Sequence, residues 1–309
     1  MTEAIDRLRD NVRSVYRGDP AAVDRLIACL LARGHALIED VPGVGKTLLA
    51  TAIARSLDVS FSRVQLTPDM LPSDLIGVTV YDREGSRFEF RPGPIFANLV
   101  LADEVNRTTP RTQTALLEAM NEGAVTVDGV TRPLGPPFMV LATQNPYEFE
   151  GTYPLPENQL DRFLMRLSLG YPEPEVEAEL LELRPAQHGL GALRPVLTPA
   201  AVLDLQERAD AVRLSAELRR YVVAIAEATR RHPEVRVGVS PRGSLALAQA
   251  ARATALMAGR DYAVPEDVLE CVPAVLGHRL ITREHGPGAP VAAAAGLLER
   301  VVESVPSPV

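Results

Sequence analysis

The stretch VPGVGKT, residues 41–47, follows directly on the apolar run Ala36-Leu37-Ile38 and leads into the helical pattern KTLLATAIARSL at 46–57. Strand formers, a glycine-bearing turn and a helix opening on a lysine and a hydroxyl form the context that a phosphate-binding loop requires. The loop's backbone N–H groups and the helix N-terminus supply fixed positive potential for phosphate oxygens. Lys46 adds a point charge toward the outer phosphates, and the Thr47 hydroxyl can hold Mg²⁺. The motif's usual spacing has a glycine five positions before Gly45, where this chain has Asp40. That position falls at the end of the strand, where a side chain fits, whereas Gly43 and Gly45 line the tight part. The alternative is an ordinary glycine-rich turn, against which the flanking strand and helix argue. Pro42, Gly43, Val44, Gly45, Lys46, Thr47 and Leu48 are the expected cradle.

Outward from this loop, short apolar runs alternate with helical stretches. HALIED (35–40), FSRVQLT (61–67), NLVLADE (98–104), FMVLATQN (138–145) and MRLSL (165–169) read as strands. PRTQTALLEAMNEG (110–123) reads as a helix stopped by Gly123, and two amphipathic helices, 1–17 and 20–33, come first. Apolar runs without alternation, separated by helices, predict a parallel sheet covered on both faces. Two pieces are not needed for that core and read as hairpin insertions. One spans 77–94 and turns near Glu84-Gly85-Ser86; the other spans 124–134 and turns at Asp128-Gly129. Phe88 and Phe90 share a strand face in the first, either packing their own hairpin or meeting a partner. After Gly170, YPEPEVEAE (171–179) reads as a linker and the rest as helical. Thr198-Pro199 and Ser240-Pro241 each open a helix with a capping hydroxyl and a proline. The expected division is an α/β domain over 1–171 and an all-α domain over 172–309.

A net charge of −8 argues against a general nucleic-acid binder, which usually carries a basic excess. Cys29 and Cys271 lie far apart and form no disulfide framework, so a reducing cytoplasm is the simplest setting. His35, His188, His232, His278 and His285 have no metal-ligand spacing. The N-terminal pattern has no apolar h-region, and no apolar run approaches the ~20 residues that span a bilayer.

NLVLADE supplies what the loop lacks. Asp103 is placed to hold the magnesium shell, and Glu104 to orient and deprotonate an attacking water. An acidic strand end at the surface is the plainer reading of these two residues alone. Asn145, ending a neighbouring strand in ATQNP, could bond a γ-phosphate or help place the water, although a strand-ending Asn is often a turn former.

With these residues in hand, the chain resembles an AAA+ ATPase and, within that superfamily, the MoxR group. The resemblance rests on VPGVGKT, GPIFANLVLADEVNRTTPRTQTALLEAMNEG, LATQNP followed by PLPENQLDRFLM, and SPRG. It implies a P-loop core with a five-stranded parallel sheet sandwiched by helices, two hairpin insertions and a C-terminal helical lid. It also implies ATP and Mg²⁺ as cofactors, a homo-hexameric ring with ATP between subunits, and hydrolysis to ADP and phosphate. Arg162 in LDRF matches the arginine finger and Arg242 in SPRG the sensor arginine of the lid, while Arg107, Arg111 and Arg166 compete for the finger role. MoxR relatives are linked to maturing or activating protein complexes, often with a partner carrying a von Willebrand factor A domain. The client is not named by these residues. A nucleic-acid motor, a chelatase-type subunit and a non-hydrolysing ATP switch are the alternatives, and Glu104 beside Asp103 argues against the last.

Overall fold

Five parallel strands lie across one sheet in the order Phe61–Gln65, Leu99–Asp103, Met139–Gln144, Ala36–Glu39 and Met165–Leu167. This is a computed structural model, and it describes residues 2–146, 151–183, 185–283 and 291–308, so that His285 lies outside the described residues. Every expected strand is present, shortened by a residue or two at its ends. The apolar runs look continuous in sequence, yet their side chains part with period two. Ile38, Leu99, Leu101 and Leu141 enter one apolar cluster, whereas Leu37, Val100, Ala102 and Val140 enter the other. Two buried faces explain why the three central strands stay apolar on both sides until their carboxyl ends.

Leu116 and Leu117 of the helix Pro110–Glu122 cover the second face. The helix Lys46–Ser56 and the N-terminal helices Thr2–Arg13 and Pro20–Leu31 cover the first, through Leu49, Ile53, Ile5, Leu8 and Leu26. That cluster continues without a break into Leu205, Leu247 and Val272 of the helices Pro199–Ala211, Pro241–Met257 and Pro265–Leu276. The helical part therefore shares apolar packing with the sheet. Among the described residues, no helix is long and apolar enough to cross a membrane.

Two local expectations change. The linker expected over 171–179 is shorter, because the helix Pro174–Leu183 begins inside it. Pro174 at the first helical position, with Glu175 and Glu177 in the first turn, is a helix start rather than a break. The helical part also contains a short antiparallel ladder, Val235–Val237 with Ile281–Thr282, outside the sequence reading. Runs this short carry no readable period.

Both hairpins form, Gly77–Asp82 with Arg87–Pro92 and Ala124–Val127 with Val130–Pro133. Asp128 and Gly129 take φ of 52° and 75°, the left-handed pair that a tight two-residue hairpin turn needs. The guanidinium of Arg132 sits 3.9 Å over the ring of Phe90, which also packs edge-on against Phe96, tying the two hairpins together. Phe88 instead is 75% exposed and meets Tyr81. The shared strand face thus splits into a packed residue and an outward one.

Candidate active site

The strand Ala36–Glu39 delivers the chain to the loop, and the helix Lys46–Ser56 carries it away. Gly43 and Gly45 take φ of 90° and 93°, a region that side-chain-bearing residues avoid. Gly45 caps the helix without any side-chain hydrogen bond to the first turn, leaving its N–H groups for an anion. The Nζ of Lys46 crosses the loop and donates to the carbonyls of Asp40 and, at 3.1 Å, Gln144. Burial pulls the Lys46 pKa down, against the upward pull of Asp40, Asp103, Glu104 and Glu39.

Asp40 answers the missing glycine. It is not among the positive-φ residues, so its backbone needs no glycine. Its Oδ2 accepts from the Ser168 hydroxyl and from the N–H groups of Leu169 and Gly170, each at 2.8 Å, and Oδ1 accepts from Val41 N–H at 2.8 Å. Burial pushes its pKa up, but these hydrogen bonds outweigh it and leave the pKa below the ordinary value. The carboxylate is thereby turned toward the end of the neighbouring strand, and it staples the loop's entry there.

Thr47 and Asp103 meet: the Thr47 hydroxyl lies 3.5 Å from Asp103 Oδ2. Thr143, buried on the adjacent strand, donates from its hydroxyl to Asp103 Oδ1 at 3.0 Å and accepts from Glu104 N–H at 3.0 Å. Glu104 itself has φ 59° and ψ 53°, left-handed for a residue with a side chain. Its Oε2 accepts from Gln65 Nε2 at 2.8 Å and from Arg107 at 3.0 Å. Asn145 is buried at the end of Met139–Gln144, and its carbonyl accepts from Asn106 Nδ2 at 3.2 Å.

Arg162 of the α/β part and Arg242 of the lid stand apart from that cluster. Arg162 follows Asp161, and its guanidinium makes no hydrogen bond or ion pair among the described residues. Arg242 donates to Asn121 Oδ1 at 2.7 Å and comes within 3.9 Å of Asp161 Oδ2. Neither hydrogen-bonds to the loop. Of the competing arginines, Arg166 is buried against Glu39 in an ion pair joined by Gln144, and Arg107 pairs with Glu104. Arg111 is exposed.

The sequence reading did not single out Thr143, Gln65 or Arg279. Thr143 sits inside the quoted run FMVLATQN. Strand register supplies its signal, since Ala102 pairs with Ala142 and brings the next residues, Asp103 and Thr143, side by side. Arg279, almost wholly buried, reaches from the helical part to Asp161 Oδ1 at 2.7 Å and to the carbonyl of Phe163 at 2.7 Å. Burial lowers its pKa to about 10, opposed by Asp161.

Residues 35–165 match the ATPase family associated with various cellular activities (AAA), and residues 227–296 match the AAA lid domain. Chaperone MoxR1 of Mycobacterium tuberculosis is 42% identical over 290 residues, covering 90% of this chain and 75% of its own. The chain belongs to the MoxR family of AAA+ ATPases. Protein YeaC of Bacillus subtilis is 53% identical over 255 residues, 82% of this chain and 80% of its own. A crystal structure of a candidate ATPase from Cytophaga hutchinsonii superposes with a TM-score of 0.89 at 36% identity, over 100% of this chain and 96% of that one.

The donor set of this MoxR-family chain fits magnesium. Thr47 Oγ1 and Asp103 Oδ2 are hard oxygen donors 3.5 Å apart. That lies between the edge (~3 Å) and diagonal (~4 Å) of an octahedron with ~2.1 Å bonds. No group of three or more His, Cys, Asp or Glu gathers into a metal cage among the described residues, so the other positions would fall to water and phosphate, the usual manner for Mg²⁺.

Proposed function

We propose that the protein hydrolyses ATP and works as a chaperone-like remodeller, six copies forming a ring with ATP between subunits, in the maturation or activation of protein complexes. The observation that carries the reading is the approach of Thr47 to Asp103, which brings loop and acids to one place. In this reading residues 42–48 cradle the phosphates and Lys46 neutralises the outer ones. Thr47 and Asp103 hold the magnesium, which when bound offsets charge on the β- and γ-phosphoryl oxygens. Glu104 accepts the proton of the attacking water on Oε1, the carboxyl oxygen that Gln65 and Arg107 leave open. Asn145 helps place that water.

Arg162 serves the neighbouring subunit's site, an assignment supported by its guanidinium having no hydrogen-bond or ion-pair partner among the described residues. Arg242 acts from the lid, at the N-terminus of the helix Pro241–Met257. A boundary near residue 172 separates core and lid, and the match to MoxR1, a protein named as a chaperone, supports a protein client. A von Willebrand factor A domain partner and a cytoplasmic setting belong to the same reading, the latter supported by two buried free thiols.

Phosphate release with and without Mg²⁺, with and without DNA, alongside light scattering with ATP, tests this. The reading expects magnesium-dependent turnover, indifference to DNA and a six-copy mass. Stimulation by DNA would move the protein to the nucleic-acid motors, and an assembled ring without turnover would remove the ATPase reading.

A further inference from the structure

Arg63 lies outside the machinery described so far, yet it holds the carboxylate at its centre. It projects from the strand Phe61–Gln65, and both its Nε and its Nη2 lie 2.8 Å from Asp103 Oδ2. That is the oxygen that the Thr47 hydroxyl approaches. The Asp103 side chain is 7% exposed, whereas that of Arg63 is 53% exposed. A buried carboxylate without a cation is costly, so the metal-free protein gains from this pairing. A half-exposed guanidinium on a flexible stem can swing into water at small cost. A magnesium ion and its tightly held waters need the space that these two nitrogens occupy.

We propose that Arg63 is a placeholder cation for the magnesium site: guanidinium and metal compete for Oδ2 of Asp103, and metal binding displaces Arg63. The inference rests on the reading of Asp103 as the metal-holding carboxylate. Arg63 then sets the magnesium concentration at which the nucleotide site fills. It also passes metal occupancy to the strand whose Gln65, on the same side two residues on, holds Glu104 at 2.8 Å. Loading of the metal and freeing of the catalytic carboxylate thereby share one strand.

The test is a magnesium titration of full-length protein with a fluorescent, non-hydrolysable ATP analogue, for wild type, Arg63→Gln, Arg63→Lys and Asp103→Asn. Thermal midpoints are measured beside it, in chelator and in magnesium with nucleotide. Arg63→Gln should lower the half-saturating magnesium concentration about three- to fivefold, the size expected for a half-exposed ion pair. Its midpoint in chelator should fall, and the rise on adding magnesium and nucleotide should grow. Arg63→Lys, lacking the two-nitrogen fork, should fall between the two, and it carries the test if the glutamine variant does not fold. An unchanged or higher magnesium requirement in the folded Arg63 variants, with Asp103→Asn losing the magnesium response, overturns the placeholder role alone. A wild-type magnesium response in Asp103→Asn overturns the site reading and the placeholder together.

Discussion

The hydroxyl of Thr47 stands 3.5 Å from Oδ2 of Asp103, although 56 residues of chain separate them. Loop and strand reach one another because Ala36–Glu39 and Leu99–Asp103 flank Met139–Gln144 in the sheet, all three running in the same direction. Ligands of parallel α/β sheets bind at that carboxyl end.

Lys46→Ala should weaken ATP binding by one to two orders of magnitude. A hydrogen bond to a charged group contributes about 1.5–3 kcal/mol, and tenfold in affinity is about 1.4 kcal/mol. Calorimetric titration checks this, and an affinity equal to wild type would mean that phosphate lies elsewhere.

Glu104→Gln should keep nucleotide affinity and lose roughly 10²–10⁴ in turnover, the usual contribution of a positioned general base. The substitution preserves the shape of the side chain, so Gln65 and Arg107 remain beside it. Single-turnover phosphate release distinguishes the loss of chemistry from slow product release, and unchanged turnover assigns the proton to another group.

Much of this was legible in the sequence, for reasons that differ by element. The strands were visible because both sheet faces are buried, which removes polar residues from runs such as Leu99–Asp103. The loop was visible because positive φ at Gly43 and Gly45 and the Lys46 charge each demand a particular residue type. Thr143 escaped notice because its role follows from strand register, and a single hydroxyl in ATQNP carries no local signal. Arg279 escaped for the same reason: its partners, Asp161 and Phe163, lie 118 and 116 residues away. The helix from Pro174 was misread because proline and glutamate mark helix starts as well as linkers.

Arg162→Ala should leave ATP binding intact and abolish turnover, and mixing it with Lys46→Ala protein should partly restore activity, each supplying what the other lacks. Arg166→Ala is the contrast. Its side chain is 3% exposed and paired with Glu39, so removing it strands a buried carboxylate and should cost about 3–5 kcal/mol of stability. Phosphate release from mixed proteins, with urea midpoints of each, separates the two. A mixture as inactive as its components, with assembly intact, removes the finger from Arg162.

Acid should destabilise the fold through His35. Its Nδ1 accepts from Val140 N–H at 2.9 Å, so Nε2 carries the hydrogen and donates to the Met120 carbonyl at 3.0 Å. Burial lowers its pKa from 6.5 to about 4, slightly offset by the Met120 hydrogen bond, and burial likewise pushes His278 well below its ordinary value. The unfolded chain takes up a proton near pH 6.5, whereas the folded chain does so only near 4. Stability is therefore full above pH 6.5 and falls as pH drops toward 4, by about 1.4 kcal/mol per pH unit from His35 alone. Urea midpoints at neutral and mildly acidic pH measure this, and equal midpoints contradict it.

The most direct measurement is an anomalous-scattering map from crystals of Glu104→Gln protein grown with ATP and manganese in place of magnesium. The account predicts one metal peak in contact with the Thr47 hydroxyl and beside Asp103, with the triphosphate curled around Lys46. A metal and triphosphate seated away from Thr47 and Asp103 would contradict it.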